Sequence, residues 1–322
     1  MKKALVVGIN DYPKSPLKMC INDAKGIGRL LKTNSDGSAN FDTKIETDIK
    51  TKSQLMSMIA NFFNKGNCDT AVFYFSGHGF LNELGGYIVT PDHAEYDVGI
   101  SMDEILSLAN QSEIRNKIII LDCCHSGVLG SPKSGGTVTP IKTGISILTA
   151  CRENELAIGM NGHGIFTNLL ISALEGGAAD LRGHVSPGGI YSYVDQALGA
   201  HDQRPVFKTN VTEFVSLRTI NPRVSTEIIR KITQYFNEEN EEYRLDPSYE
   251  DTNNNAVHHP IKEPYSKPEN VAIFKNLQKF QSIGLVVPVD EDFMYFAAMN
   301  SKACKLTALG HHYWRLVKDS RI

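Results

Sequence analysis

Two runs typical of buried strands, each followed closely by a reactive side chain, limit most strongly what this chain can fold into. Thr70–Phe75 and Lys117–Leu121 are short, mostly apolar runs bounded by turn residues, as in strands covered on both faces within a parallel sheet. The carboxyl ends of such strands share one edge, where open α/β folds place their sites. His78 follows the first run and Cys124 follows the second. The sequence therefore predicts that an imidazole and a thiol meet at one sheet edge.

This pairing is what thiol catalysis requires. An imidazole can deprotonate or charge-pair a sulfur, and backbone N–H groups can hold an oxyanion. Gly77 and Gly79 bracket His78, which allows close approach of substrate and backbone. Cys123 is expected to pack inward as a small hydrophobe. The alternatives are an inert buried thiol at Cys124 and a structural histidine in a turn, but the two motifs together favour catalysis.

The same residues carry a family resemblance. Tyr74–Gly79 and Asp122–Gly127, with the cysteine 46 residues after the histidine, resemble the caspase and metacaspase cysteine peptidases. Caspases have Gln-Ala-Cys-x-Gly at the nucleophile, whereas this chain has Asp-Cys-Cys-His-Ser-Gly, the metacaspase-like form. The resemblance covers roughly residues 2–217 and implies a three-layer α/β/α fold with a mostly parallel central sheet.

Catalytic roles follow from the resemblance. Cys124 would be the nucleophile that forms a thioester acyl-enzyme, and His78 the general base or the imidazolium that pairs with a thiolate. The backbone N–H groups of Gly79 and Cys124 would form the oxyanion hole. His125 is expected to face away and to be structural.

An acidic pocket for the residue before the cleaved bond is also implied, drawing on Cys20, Asp23, Ser76 and Asp122. Preference for Arg or Lys needs carboxylates at the pocket floor, whereas preference for Asp needs a basic pocket. Two buried carboxylates are strained without a cation, which a substrate arginine supplies. The alternative is that Asp23 caps the first helix and that Asp122 bonds to backbone around the cysteine loop.

No cofactor is expected. The run Cys123-Cys124-His125 lacks the second ligand pair of a zinc site. Many metacaspases require calcium, but the nearby acids Asp92, Glu95 and Asp97 are not adjacent and Ser131 stands where another ligand is expected. The sequence therefore gives calcium activation only weak support.

Composition and patterning predict more than one domain. A chain of 322 residues with 41% hydrophobic residues accommodates one α/β domain of about 200 residues and a smaller unit. We expect a caspase-like domain at 1–220, a helix and polar linker at 221–268, and an α+β, winged-helix-like docking or regulatory domain at 269–322. The elements expected beyond residue 221 are helices Ser225–Phe236, Val271–Ser282 and Thr307–Val317, and a strand pair, Leu285–Val289 with Tyr295–Ala298.

Charge and sorting signals limit the partners and the location. The net charge is −3, and residues 221–322 hold nearly equal numbers of acidic and basic side chains. Nucleic-acid readers are normally basic, so protein docking is favoured over DNA binding, and no membrane association is expected. The apolar run in Met1–Gly8 is too short for a signal peptide. Together with six scattered cysteines, this predicts free thiols and a cytoplasmic protein.

The segment 130–143 is rich in Gly, Ser, Thr and Pro and is predicted to be a loop. In the resembled family, processing between subunits occurs here, which makes Lys133 and Lys142 candidate processing sites; a plain solvated loop is the alternative. The predicted function is endopeptidase cleavage after Arg or Lys in signalling, defence or regulated cell death. The alternatives are an Asp-specific peptidase, a catalytically silent scaffold that recruits partners, or a DNA-binding regulator.

Overall fold

The computed structural model describes residues 1–64, 68–95, 97–123, 140–150, 162–198, 205–254 and 261–322. Contacts divide the chain into two units, Met1–Asn221 and Pro222–Ile322. Nowhere in these described ranges does a helix combine the length and apolar character that crossing a bilayer requires.

The first unit alternates strands and helices, with a π-helical turn at Ala173–Gly177 after α4. Its elements in chain order are β1 (Lys2–Gly8), α1 (Cys20–Lys32), β2 (Asp42–Thr47), α2 (Lys52–Asn64), β3 (Thr70–Ser76), β4 (Gly79–Asn82), β5 (Gly85–Ala94), β6 (Asp97–Ser101), α3 (Met102–Gln111), β7 (Asn116–Asp122), β8 (Ile145–Thr149), α4 (Ile165–Ser172), β9 (His184–Val185), α5 (Pro187–Ala197), β10 (Val206–Asn210) and β11 (Arg218–Thr219).

A six-stranded sheet organises this unit, in the order β10-β8-β7-β3-β1-β2. Every neighbouring pair is parallel except β10 with β8, which is antiparallel. All seven residues of β3 are buried, because the strand lies inside the sheet and is covered on both faces. The two continuous runs of the sequence therefore occupy adjacent central strands, as the pattern predicts.

Helices cover both faces of the sheet. Side chains alternate along each strand, so that Phe73 and Phe75 pack on one face with residues of α2 and α3. Val72 and Tyr74 pack on the other face with residues of α1, α4 and α5. The unit is thus a three-layer α/β/α structure with a mostly parallel sheet, which confirms the predicted fold class.

A smaller antiparallel sheet, β4-β5-β6, follows His78 directly. Gly79 opens β4 and pairs with Ile88 of β5. Helix α3 begins where this sheet ends: Ser101 accepts the N–H of Asp103, and the Glu104 side chain accepts the N–H of Ser101. This capping box is visible in the sequence as Ser-Met-Asp-Glu.

The second unit contains a three-stranded antiparallel sheet in the order β12-β14-β13. Two short helices precede the first strand in the chain, and a further helix follows each of the three strands. Its elements are α6 (Thr226–Ile229), α7 (Ile232–Tyr235), β12 (Glu242–Arg244), α8 (Pro268–Ser282), β13 (Val286–Val289), α9 (Met294–Met299), β14 (Ala303–Leu306) and α10 (Ala308–Lys318).

The structure corrects one predicted strand. Tyr295–Ala298 lies within helix α9, and β13 pairs with β14 instead. The aromatic side chains suggest a strand, but Met294, Ala297 and Ala298 are buried while Phe293 and Phe296 are exposed. This i, i+3, i+4 spacing is helical. A helix therefore separates the two paired strands, unlike the direct hairpin on which the winged-helix expectation relied.

The segment predicted as a helix and polar linker, 221–268, also differs. Its expected single helix is two short ones, α6 and α7. Strand β12 pairs with β14, and the Phe236 carbonyl accepts a 2.7 Å hydrogen bond from the Trp314 indole N–H. The segment therefore packs with the tail rather than lying apart from it. Helices α8 and α10 lie where the sequence predicts them.

Candidate active site

Both predicted motifs emerge at one edge of the central sheet. Ser76, the last residue of β3, lies opposite Asp122, the last residue of β7. His78 comes two residues after Ser76, and Cys124 comes two residues after Asp122. Cys124 itself lies outside the described residues, as does Lys133. The structure thus describes the histidine side of the predicted dyad and the strand that leads to the cysteine.

Hydrogen bonds to the ring and to the backbone of His78 hold it in place. Its Nε2 lies 2.7 Å from the carbonyl oxygen of Ser15. A carbonyl only accepts hydrogen bonds, so Nε2 carries the proton in this contact. In the neutral ring, Nδ1 then holds the lone pair that a general base needs. The backbone N–H of His78 donates to the Tyr12 hydroxyl at 3.1 Å, which fixes the main chain behind the ring.

Tyr12 connects the histidine loop to the small sheet. Its hydroxyl donates to the carbonyl of Val89 at 3.2 Å, and its ring meets the His78 ring edge-on with centroids 4.5 Å apart. A Cβ on Gly77 would lie 2.6 Å from the same hydroxyl. Glycine at position 77 therefore lets the loop close on Tyr12.

The four residues predicted to form an acidic pocket lie close together. Asp23, on the first turn of α1, is only 2% exposed, and its Oδ2 accepts the Ser76 hydroxyl at 3.1 Å. Its Oδ1 accepts Nδ1 of His163 at 2.9 Å and the N–H of Gly164 at 3.2 Å. The carboxylate therefore does not cap α1, whose N-cap has no side-chain hydrogen bond. It faces inward instead.

Asp122 belongs to the same buried cluster. Its Oδ2 accepts the Thr167 hydroxyl at 2.6 Å. Thr167 Oγ1 also lies 2.5 Å from the phenol oxygen of Tyr74. Because Thr167 donates its one proton to the carboxylate, Tyr74 donates to Thr167. A directed chain of hydrogen bonds thus runs from Tyr74 to Asp122.

Burial sets the electrostatics of this cluster. Burial raises the pKa of Asp23 from 3.8 to about 6, and the nearby Asp122 carboxylate adds to the rise. The hydrogen bonds to Asp23 oppose that rise. Burial likewise raises the pKa of Cys20 to about 12, so this thiol stays neutral. Two carboxyl groups near each other in a buried site make ionisation costly unless a cation arrives.

Three members of this cluster escaped the sequence reasoning: His163, Thr167 and Tyr74. Thr167 and Tyr74 lie inside a predicted helix and a predicted strand, where their hydroxyls give no separate signal. His163 stands between Gly162 and Gly164 just before α4. Only the fold brings α4 against α1, so no local pattern could assign His163 to Asp23.

Two of the three acids considered for calcium, Asp92 and Asp97, bind Lys52. Both oxygens of Asp92 accept the N–H of Lys52 at the start of α2, at 3.0 and 3.1 Å. Asp97 forms an ion pair with the Lys52 ammonium at 2.7 Å. A lysine ammonium paired with Asp97 disfavours a calcium ion at that carboxylate. In the described part of the chain, no group of three or more His, Cys, Asp or Glu side chains could hold a metal ion.

Lys142, the second candidate processing residue, is exposed. Its backbone N–H donates to the side-chain oxygen of Asn110 at 3.0 Å. The same amide group donates to the carbonyl of Pro140 at 2.8 Å. Helix α3 therefore holds the backbone on the N-terminal side of Lys142.

Comparison with known proteins agrees with the fold of the first unit. Residues 1–216 match the family model described as the caspase domain. Among solved structures, protein GSU0716 from Geobacter sulfurreducens is similar, with a TM-score of 0.50 and 17% sequence identity over 68% of this chain and 99% of that one. At this identity the likeness concerns the fold alone. No curated protein matches the sequence significantly.

Proposed function

The chain belongs to the caspase-domain family of cysteine peptidases, and from this premise we propose that it is an endopeptidase that cleaves after arginine or lysine. Cys124 is the nucleophile and His78 its base. The observation that carries the basic preference is the buried pair of carboxyl groups, Asp23 and Asp122, at the same sheet edge as His78.

Acyl transfer begins at Cys124. His78 Nδ1 accepts the proton of the Cys124 thiol, and the sulfur attacks the substrate carbonyl. The backbone N–H groups of Gly79 and Cys124 hold the oxyanion. His78 then gives its proton to the departing amine, which leaves a thioester. Water, deprotonated by His78, attacks the thioester, and the thiol is regenerated.

The Ser15 contact supports the assignment of His78. Since Nε2 is tied to the Ser15 carbonyl, the ring offers Nδ1 to the thiol and keeps one tautomer through the cycle. An imidazolium formed during the reaction keeps this hydrogen bond as a charge-assisted one. The carbonyl therefore keeps the ring oriented while Nδ1 takes and returns the proton.

Recognition of the basic side chain is assigned to Asp23 and Asp122, with Ser76 and Cys20 lining the same place. A guanidinium or ammonium supplies the cation that the buried carboxyl groups lack, and the resulting pairs are charge-assisted. A substrate aspartate would add a third carboxylate to the cluster. That addition is unfavourable, so the proposed preference excludes Asp.

We assign the second unit, Pro222–Ile322, to docking or regulation. Its near balance of charge suits a protein partner better than a nucleic acid. A cytoplasmic peptidase with a separate regulatory unit fits a role in signalling, defence or regulated cell death.

The test uses fluorogenic peptides that are identical except for Arg, Lys or Asp before the cleaved bond. The wild-type chain should cleave the Arg and Lys peptides, and C124A and H78A should not. A thiol-directed probe should label Cys124 in the wild type only. Preference for Asp would contradict the acidic pocket. Absence of labelling in both the native and any activated form would indicate a silent scaffold instead.

A further inference from the structure

His163 touches the acidic cluster from an element that no motif marks. Its Nδ1 lies 2.9 Å from Oδ1 of Asp23, and its side chain is 21% exposed. An ionised carboxylate only accepts hydrogen bonds, so Nδ1 must carry a proton in this contact. The imidazole therefore acts as a donor to Asp23, with Nε2 on its other side.

Two donors fill one oxygen of Asp23. Oδ1 accepts both His163 Nδ1 and the Gly164 N–H, whereas Oδ2 accepts the Ser76 hydroxyl. Each carboxylate oxygen has two in-plane lone pairs. The two donors use both acceptor positions of Oδ1, and among the residues that the structure describes one position on Oδ2 has no donor. The orientation of the carboxylate is thus fixed, with one defined place for a cation.

One short segment configures both carboxylates. His163 and Gly164 bind Asp23, and Thr167, within the first turn of α4, binds Asp122. The start of α4 also presents the positive end of its helix dipole to Asp23, which favours the anion. Gly26 lies one turn after Asp23 on α1 and makes room for the His163 ring. A Cβ at position 26 would lie 3.1 Å from His163 Cε1.

We infer that His163 is a positioning residue for substrate specificity: it orients Asp23 so that only Oδ2 receives the substrate's guanidinium or ammonium group. This inference rests on the proposed function and deepens it. It predicts that the cation is bound end-on at Asp23, because a bidentate contact to one carboxylate would require the occupied Oδ1. His163 is inferred to act through Asp23 and not on the reacting atoms.

The first experiment compares H163A with H163N in the full chain. The side-chain amide nitrogen of asparagine stands close to the Nδ1 position and retains a donor, whereas alanine removes it. For peptides with Arg before the cleaved bond, H163A should raise KM by about 10-fold and leave kcat within about 2-fold, since the hydrogen bond that orients the charged Asp23 carboxylate is lost. H163N should restore most of the affinity.

A peptide with citrulline in place of arginine is the control. Citrulline keeps the shape but lacks the charge, so its cleavage should respond little to H163A. Equal KM values for the wild type and H163A would overturn the inference. So would equal losses in H163A and H163N, or a fall in kcat that accompanies a lowered melting temperature, because these results indicate a structural role.

A second readout needs no peptidase activity. The Asp23 carboxyl is titrated by carbon-13 NMR, with D23N identifying its resonance. Loss of the His163 donor should raise the Asp23 pKa above about 6 in H163A but not in H163N, because this hydrogen bond favours the ionised form. An unchanged Asp23 pKa in H163A would overturn the inference about His163 and leave the proposed function standing. Failure of the wild type to cleave any basic peptide would overturn the proposed function and leave this titration to decide the role of His163.

Discussion

Replacing Asp23 with asparagine should make the protein more stable and, at the same time, weaken its binding of basic substrates. The carboxyl pKa rises from 3.8 to about 6 on folding, so the native state binds this proton more tightly than the unfolded state. The unfolding free energy therefore falls as the pH rises from about 4 to about 6. Above that range the protein carries the full free-energy cost of ionising Asp23 in the folded state. A shift of about 2 pH units corresponds to about 3 kcal/mol.

Asparagine removes this cost without breaking the local contacts. Its oxygen can take the place of Oδ1 and accept from His163 and Gly164. Its amide N–H can donate to the Ser76 hydroxyl, which rotates to accept. Imperfect geometry reduces the gain, so we expect D23N to be more stable than the wild type by about 1–3 kcal/mol at pH 8. The gain should shrink towards pH 4.

Urea unfolding at pH 4.5, 6 and 8 measures this difference, with KM for an Arg peptide measured in parallel. D36N is the control, because Asp36 is exposed and hydrogen bonds from the Ser38 side chain and, at 2.9 Å, from the Ser38 N–H lower the pKa of its carboxyl group. The ionised Asp36 carboxylate stabilises the fold above its unfolded-state pKa, and this stabilisation is lost at acidic pH. D36N should therefore be less stable than the wild type at pH 8, with a difference that shrinks towards acidic pH. Destabilisation by D23N at every pH would refute the reasoning and favour a structural role for Asp23.

Two further substitutions separate the two halves of the site. Y12F removes the hydroxyl that accepts the His78 N–H. It should lower kcat about 10-fold and leave KM nearly unchanged. The unpaired His78 N–H should lower the unfolding free energy by about 1–3 kcal/mol, which thermal unfolding measures. An unaltered kcat would show that the loop holds its geometry without Tyr12. T167V removes the donor to Asp122 and the acceptor of Tyr74; calorimetry should show a loss of about 1–3 kcal/mol, and KM for Arg peptides should rise. Wild-type stability in T167V would mean that the chain of hydrogen bonds contributes nothing net.

The sequence predicted the fold well where apolar runs are continuous. Two such runs became the adjacent strands β3 and β7, and their shared edge brought His78 and Asp122 to the same side of the sheet. Strands of a parallel sheet are buried on both faces, so a continuous apolar run is enough to predict a central strand. The capping box at Ser101 is a further local signal, since its Ser-Met-Asp-Glu pattern marks the start of α3.

Sequence reasoning failed where tertiary contacts decide the outcome. Tyr295–Ala298 is aromatic enough for a strand, but packing buries one helical face of it. Strand β12 is three residues long, too short to show alternation before its partner strand is known. His163 and Tyr12 act through contacts with residues distant in the chain. Such contacts leave no periodic trace in a single sequence.

Two buried polar groups in this protein show why the acidic cluster is better explained by function than by architecture. Asn253 is fully buried, yet its amide donates to the carbonyls of Pro247, Lys262 and Pro264, and its oxygen accepts the Lys262 N–H. A neutral group with this many partners stabilises the loop around it. Asp23 also has its partners, but its raised pKa means that ionisation still costs free energy. The charge on Asp23 does not stabilise the fold, but it could bind a cation. This cost is the reason that we propose a cationic ligand for Asp23.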